Sequence, residues 1–128
     1  MNLLLDTHVA LWAITDAPAL PARARALIAD PANEVWVSAV SVWEIAIKHG
    51  LGRGDIPVSG DEALGYFVEA GYRMLSITPA HAAGVASLPP HHQDPFDRLL
   101  VAQARAEPLR LLTHDATVAL YGEPVLRV

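Results

Sequence analysis

The chain has 128 residues, 9 Lys and Arg against 14 Asp and Glu, and no cysteine. That length fits one domain, residues 1–128, and leaves little room for a second, while the missing thiols exclude a disulfide scaffold, thiolate zinc, iron–sulfur clusters and Cys nucleophiles. A net charge of −5 with the single lysine Lys48 excludes a basic-patch polyanion binder, so contact with nucleic acid has to be local and metal-assisted.

The N-terminal segment Met1-Asn-Leu-Leu-Leu-Asp6 is apolar, but Asp6 interrupts it and no basic stretch precedes it. It reads as a core strand and helix rather than a signal peptide, and no stretch has the length of a membrane span. A cytoplasmic protein is compatible with both features and with the absence of cysteine. Leu3 to Leu5 predict a short strand, and Thr7 to Thr15 a helix. Pro21 is placed to open a second helix through Asp30. Glu34 to Val37 is a β-branched and aromatic strand. Ser41 to His49 predicts a helix, ended by Gly50-Leu-Gly-Arg-Gly54. Helices are also expected over Asp61 to Ala70 and Pro79 to Ser87, with a strand over Met74 to Ile77 between them. After the loop Pro89-Pro-His-His-Gln93, Asp94 and Pro95 start the best-defined helix, through Ala106. Leu109 to Thr113 is a strand, Ala116 to Tyr121 a short helix, and Val125 to Val128 an edge-type strand.

Short strands alternating with helices predict right-handed crossovers. The expected fold is a three-layer α/β/α sandwich with a mostly parallel central sheet.

Four acids carry the chemistry, and each also has a plain structural use. Asp6 suits an N-cap for the helix after the first strand. Ser41-Val-Trp-Glu44 fits a capping box with Glu44 at its fourth position, and Lys48 stands one turn on for an ion pair. Against those uses, the apolar neighbours of Glu44 imply a buried carboxylate in need of compensation. Asp94 suits an N-cap, which leaves Asp97 in the first turn, where the helix dipole favours negative charge. Asp115 suits a cap for the last short helix.

These uses share one geometrical consequence. Acids at strand ends and in first helical turns of a parallel sheet gather at one edge, where open α/β sheets bind ligands. Asp6, Glu44, Asp97 and Asp115 all map there. Crowded carboxylates raise one another's pKa unless a cation intervenes. Lys48 and Arg98 are close in sequence, but both are expected to point away along their helices. A hard divalent ion bound through oxygen is the natural compensation, with Mg²⁺ or Mn²⁺ fitting better than Zn²⁺. Ser38, Ser41 and Thr113 are hydroxyls at the same edge, able to cap helices or to orient carboxylates. His91-His92 beside Asp94 offers metal ligands, although adjacent histidines in a Pro-rich loop are expected to be solvated. The glycine run after the third helix reads as a C-cap and turn, not a phosphate loop.

The ordered motifs resemble the PIN-domain family, and within it the VapC-type toxins of bacterial toxin–antitoxin pairs. They are Leu-Leu-Leu-Asp6-Thr7, Ser38-x-x-Ser41-x-x-Glu44-Ile45, Asp94-Pro-Phe-Asp-Arg-Leu-Leu-Val-Ala-Gln-Ala104 and Leu-Leu-Thr113-His-Asp115. The resemblance covers essentially the whole chain. It implies a Mg²⁺-dependent endoribonuclease, usually a homodimer, inhibited by a VapB-like antitoxin. By position it assigns the family's four acids to Asp6, Glu44, Asp97 and Asp115, and the hydroxyl before the last to Thr113. Asp97, rather than Asp94, is the third because it directly precedes the Leu-Leu-Val-Ala-Gln-Ala helix. One or two metal ions on Asp6 and Asp97, with Glu44 and Asp115 directly or through water, would serve phosphodiester hydrolysis. Arg98 and Arg53 are candidates to draw RNA to the cleft. Apolar surface around Trp12 and Leu27 is a candidate groove for an antitoxin helix.

Two rival readings belong to other classes. A haloacid-dehalogenase-like phosphatase calls for a second Asp two residues after Asp6, where this chain has His8, and a receiver domain calls for an acidic pair at the first strand. A non-catalytic α/β binding module, in which the acids only cap helices, predicts no response to divalent metal.

Overall fold

The computed structural model describes all 128 residues. Five strands form one sheet: β1 (Asn2–Leu5), β2 (Glu34–Ser38), β3 (Arg73–Leu75), β4 (Arg110–Thr113) and β5 (Val125–Arg127). Their order is β3-β2-β1-β4-β5 and every neighbouring pair is parallel, including the β5 edge. The helices are α1 (Thr7–Ile14), α2 (Ala22–Ala29), α3 (Ala39–Gly50), α4 (Gly60–Glu69), α5 (Pro79–Gly84), α6 (Pro95–Ala106) and α7 (Ala116–Ala119). The expected three-layer sandwich is therefore present.

Strand alternation explains why the sheet is covered on both sides. Side chains along a strand point to opposite faces in turn. Leu3 and Leu5 join Val35, Val37 and Leu112 in one apolar cluster with Val9, Ala10, Ile45 and Phe67 from the helices. Leu4 and Leu111 join a second cluster with Val40, Leu100, Val101 and Val118. Both sets are apolar because neither face meets water, which is why β1 reads as a continuous leucine run. Truncating one such leucine to alanine typically costs about 2–5 kcal/mol.

Several boundaries differ from the sequence expectation. β3 ends at Leu75 and does not reach Ile77. The helix expected over residues 79–87 is α-helical only to Gly84, then tightens to a 3-10 turn over Val85–Ser87. The difference that matters most for the site is at α3, which starts at Ala39, not Ser41. Ser38 already has extended backbone and its Oγ accepts from Val40 N at 3.0 Å, so Ser38 is the N-cap. The capping box expected at Ser41 and Glu44 is consequently not formed. Glu44 stands instead in the second turn, 2 % exposed. Gly52 adopts φ 75° in the turn after α3, where a left-handed residue is needed. Gly60 lets α4 start hard against α3, since a Cβ there would lie 2.8 Å from Ala46 Cβ.

Candidate metal-binding site

All five strands run the same way, so their C-terminal ends share one edge, and a cavity of about 320 Å³ opens there. Its lining includes Asp6, Glu44, Asp94, Asp97 and Asp115, together with Lys48, His92 and the rings of His8, Trp12 and His114. The structure thus brings together the four acids singled out from the sequence.

Each acid is delivered by a local rule. Asp6 follows β1 and caps α1, its Oδ1 accepting from His8 N at 3.3 Å. Its other oxygen, Oδ2, accepts from the Thr113 hydroxyl at 2.6 Å, across from the end of β4. Thr113 Oγ1 in turn accepts from Asp115 N at 3.0 Å, so one hydroxyl ties two acids from different strand ends. Asp115 caps α7, its Oδ1 accepting from Thr117 N and Val118 N. Asp94 caps α6 through Phe96 N and Asp97 N, as its position before Pro95 requires. The Asp97 side chain takes no part in the cap, and it is 14 % exposed within the acidic cavity.

Glu44 comes from the middle of α3. The Thr7 hydroxyl donates to its Oε1 at 2.7 Å, and Ser41 Oγ lies 2.9 Å from the same hydroxyl. Its Oε2 pairs with Lys48, one turn along α3. Lys48 therefore does not point away as expected: it turns onto Glu44 and lines the cavity, with its ammonium 5.7 Å from the Phe96 ring centroid. Arg98 does point away. It donates to the carbonyls of Pro89, His92 and Val85 and to Tyr121 Oη, which clamps the loop before α6 and removes it from the RNA-contacting candidates. Arg53 is held by Asp55.

The three expected supporting hydroxyls have different roles. Thr113 orients Asp6, and Ser41 reaches Glu44 only through Thr7. Ser38 caps α3 and donates to Gln103 Oε1 at 2.6 Å, away from the acids. Two residues the sequence reading did not assign lie at the site. Thr7 supplies the hydroxyl that fixes Glu44, and only its place beside Asp6 marks it. His92 is not solvated: its Nε2 lies 3.0 Å from Asp97 Oδ2 and 3.8 Å from Asp115 Oδ2. Its Nδ1 accepts from Asp94 N at 3.2 Å, while His91 packs on the Tyr121 ring.

The electrostatics show strain of one sign. Burial pushes the Asp97 carboxyl up to about 8, helped by the charges of Asp6, Asp94, Glu44 and Asp115. Burial also raises Asp6, against the opposing hydrogen bond from Thr113. Lys48 is the single ammonium in the lining, and Glu44 already holds it. Ligand atoms of His92, Asp97 and Asp115 lie within 4.8 Å of one another, a group able to hold a metal ion. A carboxylate-rich donor set that is short of positive charge fits a hard divalent cation.

An all-parallel five-stranded sheet with carboxylates at its C-terminal edge defines an α/β protein with an acidic, metal-suited cleft. The PIN domain pattern matches residues 3–123, and the chain belongs to the PIN-domain family. It is similar to Ribonuclease VapC22 of Mycobacterium tuberculosis, 32% identical over 124 residues, which is 96% of this chain and 94% of that protein. Its fold is similar to VapBC2 from Rickettsia felis bound to a DNA fragment from its promoter, with TM-score 0.70, 15% identity and coverage of 100% of this chain and 98% of that one. A toxin–antitoxin complex from Klebsiella pneumoniae gives TM-score 0.64 and 16% identity, over 97% of this chain and 95% of that one.

Proposed function

We propose that this chain is a Mg²⁺-dependent endoribonuclease, with Mn²⁺ able to substitute, and the toxin of a VapBC-type pair. The observation that carries the reading is the meeting of Asp6, Glu44, Asp97 and Asp115 in one cavity with a single paired ammonium to balance them. The family membership and the likeness to a named ribonuclease support it. Asp6 and Asp97 would hold the metal, with Glu44 and Asp115 direct or water-mediated partners. Bound there, the metal would neutralise phosphate charge and lower the pKa of a water for attack on phosphorus. The chain's own residues set the stage for that chemistry. Thr113 fixes Oδ2 of Asp6, Thr7 and Lys48 fix both oxygens of Glu44, and the Asp94 cap places α6 so that Asp97 faces the cavity.

The test is cleavage of RNA by rigorously ribonuclease-free protein. Hydrolysis should need Mg²⁺ or Mn²⁺ and stop in EDTA, and added metal should raise the melting temperature by mass action. Undiminished cleavage in EDTA would sink the mechanism.

The same reading includes an antitoxin, a homodimer and a cytoplasmic location. The structural neighbours named above are toxin–antitoxin complexes. No helix is long and apolar enough to cross a membrane. An antitoxin tail placing an Arg or Lys among the carboxylates would supply the missing positive charge in place of the metal, a strong contact when desolvated. Co-expression with the product of an adjacent short upstream reading frame should relieve growth arrest and yield a co-purifying complex. If that product does neither, the toxin reading loses its support while the nuclease reading stands.

A further inference from the structure

We propose that Trp12 is a stacking platform for one unpaired base of single-stranded RNA, beside the phosphate that enters the carboxylate cluster. The proposal rests on the ribonuclease reading of that cavity. Trp12 is on α1, in the same helix that Asp6 caps. It is half-buried, packed against the core cluster that includes Leu5 and Val9, and it lines the cavity that holds the four acids. It is the one indole or benzene ring in that lining. Two imidazoles flank it: His8 at 6.1 Å between centroids, tilted by 52°, and His114 at 5.9 Å and 69°. These rings come from the segments that also deliver Asp6 and Asp115, so the aromatic group and the acids are fixed to the same frame.

The charge distribution says why such a surface matters. The chain carries −5 overall, and its cations near the cleft are already engaged. Lys48 is on Glu44, Arg53 on Asp55, and Arg98 on carbonyls and Tyr121. Few phosphate contacts are therefore available, and grip on RNA has to come from bases. Every base has a π-face, and stacking on an aromatic side chain is strong and tolerant of sequence. A duplex hides those faces, whereas single-stranded RNA presents them. Two signatures follow: preference for single strands, and a shallow dependence of affinity on salt.

The test uses a fluorescein-labelled oligoribonucleotide that the protein cuts, and a set of copies each lacking one base around the cut. Binding is followed by anisotropy in saturating Mg²⁺, on strands whose linkage at the cut is a charged, non-hydrolysable phosphonate, so that the ion that admits the phosphate is kept and nothing is cleaved. The unchanged protein should bind one abasic copy about tenfold to a hundredfold more weakly than the intact strand. Trp12→Leu should bind the intact strand that weakly already and lose nothing further on that copy. Trp12→Phe should fall between, and the strand annealed to its complement should not bind. Equal losses by Trp12→Leu on intact and abasic strands would overturn the proposal, as would unchanged binding by Trp12→Leu. If Trp12→Leu does not fold, the abasic set on the unchanged protein decides alone: indifference to every missing base overturns stacking. Failure to bind or cut any RNA would overturn the ribonuclease reading itself, which separates the two.

Discussion

Asp97→Asn is expected to lower RNA cleavage by on the order of a hundredfold or more and, in the same molecule, to raise the stability of the metal-free protein. The loss follows from the proposed role: even partners that only orient a metal ligand typically cost about 10–100-fold when removed, and Asp97 would be a ligand itself. The gain follows from its surroundings. Burial and four neighbouring carboxylates hold Asp97 up to about 8, so its charged form is disfavoured where it stands. Asparagine keeps the shape and removes that cost. A purely structural Asp97, favoured by the helix dipole in the first turn of α6, predicts the opposite sign, a loss of about 0.3–1 kcal/mol. The urea midpoint of Asp97→Asn in EDTA therefore separates the two uses before any activity is measured, and a lowered midpoint with cleavage intact would refute the site.

Asp94 provides the matched control. Its Oδ1 accepts from Phe96 N and Asp97 N, and asparagine offers the same oxygen, so Asp94→Asn should keep both cleavage and stability nearly unchanged. Collapse of activity in Asp94→Asn with Asp97→Asn still active would mean that the two acids have been assigned the wrong way round.

Much of this was legible in the sequence because α/β topology converts order along the chain into position in space. Asp6, Asp94 and Asp115 each sit where a cap belongs, and each is a cap. Parallel strands then carry those ends to one edge without further instruction. Glu44 shows where local rules fail. Ser41-x-x-Glu44 satisfies the capping box, but Ser38 ends β2 one turn earlier and takes the cap first. Strand registry, which no short window of sequence contains, decided between two serines. Lys48 and His92 were misplaced for a related reason. Their directions depend on what lies across the cleft: a buried Glu44 draws Lys48 inward, and the Tyr121 hydroxyl and Arg98 anchor the loop so that His92 meets Asp97.

pH, metal and stability meet at Asp97 and can be read in one experiment. An aspartate has a model value of 3.8, and burial first, then neighbouring carboxylates, push Asp97 up to about 8. Between those values the folded protein holds a proton that the unfolded chain has released. Stability must therefore fall as pH rises through that window, by up to about 1.4 kcal/mol per unit from this group. Asp6, raised by burial, acts in the same direction. In EDTA the melting temperature should be several degrees lower at pH 8 than at pH 6.5. A divalent ion competes with those protons for the same oxygens, so its binding tightens and releases protons as pH rises. Saturating Mg²⁺ should thus raise the melting temperature more at pH 8 than at pH 6.5 and narrow the gap between them. Asp97→Asn isolates this group: the part of the pH slope that vanishes in the variant belongs to Asp97. A slope in EDTA that is the same with Asp97 and with asparagine would show that the carboxylate is not held protonated by its neighbours. The site would then have no need of a cation at that position.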